Sequence, residues 1–124
     1  MSVKSIEQED WEKIIKSFNR LHKNWYSDLK EIDTGGDERI LNKDFRLKEI
    51  ALDLEKGEYN NVAYIKGKKP KEEINHVVLN IKNISIQKDE EGNDKSIILG
   101  SEDGKITTLE FRTTQPSERL DGIA

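Results

Sequence analysis

Residues 11–24, WEKIIKSFNRLHKN, give the clearest structural signal in this chain, because they predict an amphipathic helix. Its apolar side chains recur every three or four positions, so on a helix they form one stripe about 120° wide. The stripe consists of Trp11, Ile14, Ile15, Phe18, Leu21 and His22. A helix with one such face needs a second layer on which to bury it, and the rest of the chain must supply that layer.

Both ends of this helix carry signals in the sequence. Ser5 and Gln8 stand at the spacing of a capping box, which predicts that the helix begins just after Ser5. At the other end, Asn24 is the residue that, after glycine, best tolerates the left-handed backbone of a C-terminal cap. We therefore predict that the helix stops near Lys23 and Asn24.

Beyond Asn24 the helical period gives way to short apolar or alternating blocks separated by turn residues, the pattern of β-strands. We predict strands at 25–32, 38–41, 45–52, 62–65, 74–79, 84–88, 96–101 and 106–112, with turns at 34–37, 55–58 and 89–94. Residues 66–73 are interpreted as a polar loop around Pro70. Asp103-Gly104 predicts a type I′ hairpin between the last two strands.

These elements predict an α+β fold, in which an N-terminal amphipathic helix packs on a mostly antiparallel, strongly twisted sheet or open β-barrel. The chain has 124 residues, the size of one domain. Residues 1–112 form a single α+β domain in this prediction. Residues 113–124, with Pro116 among polar side chains, are predicted to be a loose C-terminal tail.

The composition excludes several classes of function. Charged residues make up 37% of the chain and the net charge is −4, which disfavours a strong hold on nucleic acid or an anionic membrane. There is no cysteine, so disulfides, thiolate catalysis and Cys-ligated metals are excluded. No secretory signal or membrane-spanning segment is visible, and we expect an acidic, soluble, cytoplasmic protein.

Two segments resemble a family of small bacterial proteins catalogued only as a domain of unknown function. Residues 18–25, FNRLHKNW, resemble its F-S-R-x-H-x-G-W segment, and residues 101–112, SEDGKITTLEFR, resemble its S-x-D-G-x-T-T-L-L-R-F-R hairpin. Asn19 stands where the family has serine, and Asn24 where it has glycine. The resemblance supports the predicted fold and implies no activity, cofactor or catalytic residue.

The candidate pocket lies between the helix and the sheet. His22 falls in the middle of the apolar stripe, and His76 alternates with the apolar residues of its strand, so both are predicted to face inward. Tyr64 and Trp25 are the aromatic side chains that would complete the pocket. The competing interpretation of His22 is a core histidine whose ring nitrogens bind backbone or carboxylate groups.

A more specific hypothesis is that the pocket binds a metal ion, with Asp28 or Asp53 as a ligand beside the two histidines. No two of these ligands stand at a spacing typical of metal sites, so we assign no metal, cofactor or catalytic residue. Serine-nucleophile and phosphate-loop motifs are missing. The acidic turn at 89–94 lacks the ligand spacing of a calcium loop.

We therefore predict that the protein is not an enzyme but a small non-catalytic binding or protein-interaction module. The alternative is a pocket protein that binds a small molecule or ion at the helix–sheet interface. The expected partner is a protein or a small ligand, and the sheet edges also leave room for a homodimer. The basic segment 66–71 is the candidate for weak nucleic-acid binding, which the acidic residues after it disfavour.

Overall fold

The computed structural model describes residues 2–54 and 61–112, so the predicted turn at 55–58 and the predicted tail at 113–124 lie outside the described residues. The chain begins with strand β1, a short 3₁₀ turn (Gln8–Asp10) and helix α1 (Trp11–His22). The strands are β1 (Ser2–Ile6), β2 (Tyr26–Ile32), β3 (Glu38–Asp53), β4 (Val62–Lys69), β5 (Glu72–Val78), β6 (Ile81–Lys88), β7 (Asp94–Ser101) and β8 (Ile106–Phe111).

The described strands form one antiparallel sheet of eight strands in the order β1-β6-β7-β8-β2-β3-β4-β5. Two runs of sequential neighbours, β2 to β5 and β6 to β8, are joined where β8 pairs with β2. β1 and β5 lie at the two edges. The α+β prediction of one N-terminal helix and a large antiparallel sheet is confirmed, although the fold is mostly sheet and does not close into a barrel.

The start of the helix differs from the prediction. Ser5 belongs to β1, where it lies opposite Ser85 of β6, and α1 begins only at Trp11. Neither Glu7 nor Asp10 makes a side-chain cap. The capping box is therefore wrong, because pairing with the edge of β6 holds the backbone around Ser5 in an extended conformation.

The buried face of α1 follows the predicted stripe in part. Trp11, Ile15, Phe18 and His22 are buried, whereas Leu21 is 60% exposed. Asn24 ends the helical segment with a φ of 71°, as predicted from its tolerance of the left-handed region. One helix therefore contributes a narrow buried stripe, and the sheet supplies most of the core.

The predicted strands at 38–41 and 45–52 are one continuous strand, β3, of 16 residues. Asp44 adopts a φ of 61° within it, at an irregularity in the pairing with β2. Its backbone N–H donates to Asp28 Oδ1 at 2.8 Å, which satisfies a group that the irregular ladder leaves unpaired. The polar residues around Asp44 thus mark a bulge, where the sequence had suggested a break between two strands.

The predicted loop at 66–73 is also strand over most of its length. β4 continues to Lys69 and β5 resumes at Glu72, with Lys68 opposite Glu73 and Lys69 opposite Glu72. Opposite charges on facing positions favour this pairing. The loop prediction is therefore wrong except at Pro70 and Lys71, because cross-strand charge pairs hold the rest of this polar segment in the sheet.

The hairpin between β7 and β8 is present, but its turn is of a different type. Gly104 has a φ of 95°, whereas Asp103 does not adopt positive φ. The N–H of Gly104 donates to Ser101 O at 3.0 Å and the N–H of Ser101 donates to Lys105 O at 2.9 Å. Only one residue is left-handed, so the turn is not type I′, which requires two.

The sheet curls so that β5 approaches β7 and β8, which are not its neighbours in the ladder. The Leu79-Asn80 connection makes the link, because the N–H of Glu102 donates to Asn80 O at 2.8 Å. Ile81 N–H similarly donates to Asn61 O at 2.9 Å at the start of β4. The concave side holds the core, and in β8 the residues predicted to share one face, Thr107, Leu109 and Phe111, are all buried.

Candidate functional site

His22 lies at one end of the curled sheet in a set of structural contacts. Its Nδ1 lies 2.7 Å from Phe18 O, and its Nε2 lies 3.1 Å from Asp94 Oδ2. The other oxygen of Asp94 contacts Lys88 Nζ at 2.6 Å. The buried ring therefore has a hydrogen-bonding partner at each nitrogen, as the core-histidine interpretation expects.

Aromatic rings surround His22. Its ring centroid lies 4.3 Å from that of Phe18, 4.5 Å from that of Trp25 and 4.8 Å from that of Phe111. Trp25 is packed edge-on against Phe111 at 5.1 Å. Phe111 belongs to β8, so this cluster attaches the end of α1 to the middle of the sheet and fills the interface where a pocket was predicted.

His76 and Tyr64 lie elsewhere. His76 is opposite Ile65 in the β4–β5 ladder and shares its inward face, as the alternation predicted. Tyr64 is opposite Val77 on the outer face of the same two strands. Of the four candidate pocket residues, the structure brings only His22 and Trp25 into contact, and the predicted pocket at the helix–sheet interface is not formed by this set.

The metal hypothesis finds no matching arrangement in residues 2–54 and 61–112, where no three histidine, aspartate or glutamate side chains are grouped as metal ligands. Asp28 instead accepts from Arg112 Nη1 at 3.2 Å. Asp53 ends β3 and is exposed.

A small polar cavity lies at the end of the sheet opposite to His22. It has a volume of about 160 Å³ and lies between the ends of β2, β5, β7 and β8. Its wall includes Glu31, His76, Ser101, Lys105 and Thr107. We call it the polar cavity. The curl of the sheet creates it, because only the approach of β5 to β7 and β8 brings His76 near Thr107.

Glu31 is the most constrained group in this wall. It follows Ser27 and Leu29 on the buried face of β2, and it lies directly opposite Thr107 of β8. Its side chain is only 9% exposed. Oε1 accepts a hydrogen bond of 2.9 Å from Arg39 Nη2, and Arg39 lies opposite Glu31 on β3.

Burial lowers the pKa of His76 below its usual value near 6.5. The carboxylate of Glu31 opposes this effect, whereas the positive charges of Lys105 and Arg39 add to it. His76 is therefore a neutral group at neutral pH. In that state one ring nitrogen donates a hydrogen bond and the other accepts one.

Sequence reasoning missed Glu31, although a signal for it exists. Alternation in the predicted strand at 25–32 places Glu31 on the same face as Leu29, so a charged residue occupies a position that the pattern reserves for an apolar one. A charge at an inward position must be paired or serve a function. Its partner on β3 was not apparent, because the register of the β2–β3 pair depends on the bulge at Asp44.

The basic segment 66–71 contributes to a separate, open groove on the outer face. Arg46 lies over the Tyr26 ring at 5.2 Å, and Lys68 and Lys69 line the same groove together with Asp44. Lys66 is paired with Glu49 at 3.9 Å. Charges of both signs are thus interleaved here, which weakens the case for a phosphate-binding surface.

No family model, curated protein or solved structure matches the chain. The resemblance to the bacterial family therefore stays a prediction. None of the helices in the described residues has the length and apolar character needed to cross a membrane.

Proposed function

We propose that the protein is a non-catalytic binding module and that its ligand binds in the polar cavity. The proposal rests on one observation. The Glu31 carboxylate lies in the wall of a cavity although its side chain is more than nine-tenths buried. The cavity replaces the helix–sheet interface as the candidate pocket. A protein partner and a small ligand both fit the proposal, since either can present a single polar group.

The energetics of Glu31 support a binding role. Taking a carboxylate out of water costs several kcal/mol, and one exposed arginine contact offsets this cost only in part. An apolar residue at position 31 would continue the buried face that Ser27 and Leu29 begin. Charged side chains are almost never fully buried unless they are paired, so a buried carboxylate at this position marks a candidate functional site.

The remaining wall suits the recognition of a small polar group. Ser101 and Thr107 are buried and carry hydroxyls, and His76 adds a neutral ring. A few fixed polar groups at the bottom of a concave site are the usual means of orienting a ligand. The cavity is also small, so the bound group would be a single functional group or one side chain.

Nuclear magnetic resonance with ¹⁵N-labelled protein tests the proposal. Three small probes of matched size, an amine, a carboxylate and an alcohol, would be titrated in turn. We expect at least one to shift the amides of Glu31, His76 and Thr107 together, and Thr107→Val to weaken that response. Glu49→Gln, a change of an exposed carboxylate on the outer face, serves as the control. Shifts confined to the outer groove, or none with any probe, would refute the proposal.

A further inference from the structure

We infer that the group bound in the polar cavity is a protonated primary amine on an aliphatic stem, and that Arg39 occupies its carboxylate when the amine is absent. The inference rests on the proposed function, since it names the ligand class of the same site. Four features of the cavity support it.

The first feature is the asymmetry of the Glu31–Arg39 pair. The Glu31 side chain is 9% exposed and fixed in the wall, whereas the Arg39 side chain is 71% exposed. An exposed guanidinium loses little on leaving such a contact, because water solvates it at once and its side chain regains rotamer freedom. The carboxylate has no such alternative. A cation that enters the cavity can therefore replace Arg39 at small cost.

The second feature is the charge of the wall. Glu31 and Asp103 are acidic, and Lys105 is the only basic residue that lines the cavity in the described part of the chain. His76 adds no positive charge at neutral pH, because burial lowers its pKa. Without Arg39, which the amine displaces in this inference, the wall carries one negative charge in excess, and this favours a cation over an anion.

The third feature is the shape and number of the acceptors. Glu31 and Thr107 face each other across the β2–β8 ladder, and Ser101 lines the cavity from β7. An ammonium group has three donors that can point to separate acceptors, whereas a planar guanidinium is best matched by one bidentate carboxylate. Separate carboxylate and hydroxyl acceptors therefore favour the ammonium.

The fourth feature is apolar surface beside the acceptors. Val78, which is on the same face of β5 as His76, lines the cavity, and Leu79 beside it is 58% exposed. An alkyl stem could cover part of this surface while its charged end reaches Glu31, in the way that lysine stems cover apolar surface. The volume of about 160 Å³ is close to that of an engineered protein cavity that holds benzene, which is large enough for butylammonium.

Isothermal titration calorimetry at low salt and neutral pH tests the inference with butylammonium, butyrate and butanol. We expect binding of butylammonium only. Glu31→Gln should weaken it tenfold or more, since the amide oxygen can still accept a hydrogen bond but no longer carries the negative charge that pairs with the ammonium. Arg39→Gln should strengthen it about threefold, since the competing cation is gone. Lys48→Gln removes the basic member of an ion pair between exposed side chains and should change nothing.

Opposite effects of the Glu31 and Arg39 variants distinguish a competitor from a structural ion pair, because loss of a merely structural pair would weaken binding in both. Circular dichroism of each variant checks that it is folded. Weaker binding in Arg39→Gln would overturn the inference. Binding of butyrate or butanol in the cavity would also overturn it but leave the proposed function standing, whereas no binding of any probe would remove both.

The amine has two sources, a free small molecule or the lysine side chain of a partner protein. A fourth titration uses Nα-acetyl-lysine N-methylamide, which presents the same ammonium on a peptide backbone. Affinity at least equal to that of butylammonium would point to a lysine of a partner. Affinity much lower than that of butylammonium would point to a free amine.

Discussion

His22 is held at both ring nitrogens. Nδ1 faces the backbone carbonyl of Phe18, and Nε2 faces the carboxylate of Asp94. The second oxygen of Asp94 contacts Lys88. The ring therefore connects the last turn of α1 to the first residue of β7 through polar contacts.

Replacing His22 tests whether it is structural. We expect His22→Ala to lower the free energy of unfolding by about 3 kcal/mol, because it empties space among aromatic rings and leaves Asp94 short of a partner. Urea denaturation followed by far-ultraviolet circular dichroism measures this change. Leu21→Ala, on the exposed side of the same helical turn, is the control and should cost less than about 0.5 kcal/mol. Butylammonium binding that disappears in folded His22→Ala would contradict the structural role.

His76 should make the free energy of unfolding decrease as the pH falls below about 6.5. Its pKa is lowered in the folded protein, so between that pKa and about 6.5 the unfolded chain binds more protons. The contribution to stability is complete above pH 6.5 and is lost as the pH falls through the folded pKa. We expect His76→Gln to flatten the decline in unfolding free energy between pH 7 and pH 5, as measured by urea titrations at each pH. Equal slopes for both proteins would contradict the assignment.

The alternation of apolar and polar residues was sufficient to predict that His76 faces inward and that one face of β8 is buried. The same alternation could not predict which residues line the candidate site. Glu31 and His76 are 45 positions apart and come together through the curl of a sheet whose strand order the pattern does not contain. The face of a strand on which a side chain lies follows from the local sequence. The residues that it meets across a cavity depend on the strand order of the whole sheet.

Helix α1 and strand β3 are joined by a contact that resembles the addition of a strand. β2 begins at Tyr26 opposite Arg46, so within residues 2–54 and 61–112 no strand lies beside β3 on that side beyond this point. The Asn19 amide takes the vacant place, because its Nδ2 donates to Ile50 O at 2.9 Å and its Oδ1 accepts from Ile50 N at 2.8 Å. One side chain thus satisfies both backbone groups of Ile50.

Removing the Asn19–Ile50 hydrogen bonds should weaken the attachment of α1 to the sheet. We expect Asn19→Ala to lower the unfolding free energy by about 2 kcal/mol, because two partly buried backbone groups of Ile50 lose their partner. Asn19→Ser, the residue of the resembling family, should restore part of the loss because a hydroxyl can satisfy one of the two. Thermal unfolding of the unchanged protein and of the two Asn19 variants measures these differences, with Arg20→Ala as an exposed control. Equal stability of the alanine and serine variants would argue against a hydrogen-bonding role.

The presence of α1 could be predicted from its helical period, because that period reflects the packing of one face of the helix. The first residue of α1 could not be predicted, because Ser5 and Gln8 have the spacing of a capping box while the backbone at Ser5 pairs with β6. The extents of β3, β4 and β5 were underestimated for a similar reason. Polar residues at a bulge or in cross-strand charge pairs look like loop residues until the partner strand is known.

The whole sheet depends on pairings between distant parts of the chain. β1 pairs with β6, and β8 with β2, so the two runs of local hairpins complete one sheet only when these long-range ladders form. Leu29 and Leu109 lie opposite each other at the β2–β8 junction and are fully buried. The core is therefore shared by both runs.

This shared core predicts a single cooperative unfolding transition. We expect differential scanning calorimetry to give a calorimetric enthalpy equal to the van't Hoff enthalpy, since neither run of strands can keep a core when the junction opens. Refolding should take milliseconds to seconds, because closing the long-range ladders precedes most of the gain in contacts. Two resolved calorimetric transitions would show that the runs fold as separate units.

Strand order marks the limit of prediction at this scale. The class of the fold followed from a helical period and a series of short strands, and both are local. The position of β1 beside β6 and the approach of β5 to β7 leave no trace in the spacing of apolar residues. They are consequences of how the twist of the assembled sheet brings remote edges together.

The outer edge of β5 has a consequence for handling the protein at high concentration. Its first residues, Glu72 and Glu73, repel a second molecule, whereas its other end is flanked by exposed Val77 and Leu79. Colloidal stability therefore depends on the overall excess of carboxylates, and mild acidification removes that protection. Turbidity should rise first as the acidic side chains titrate, and lysine substitution at Val77 should delay it.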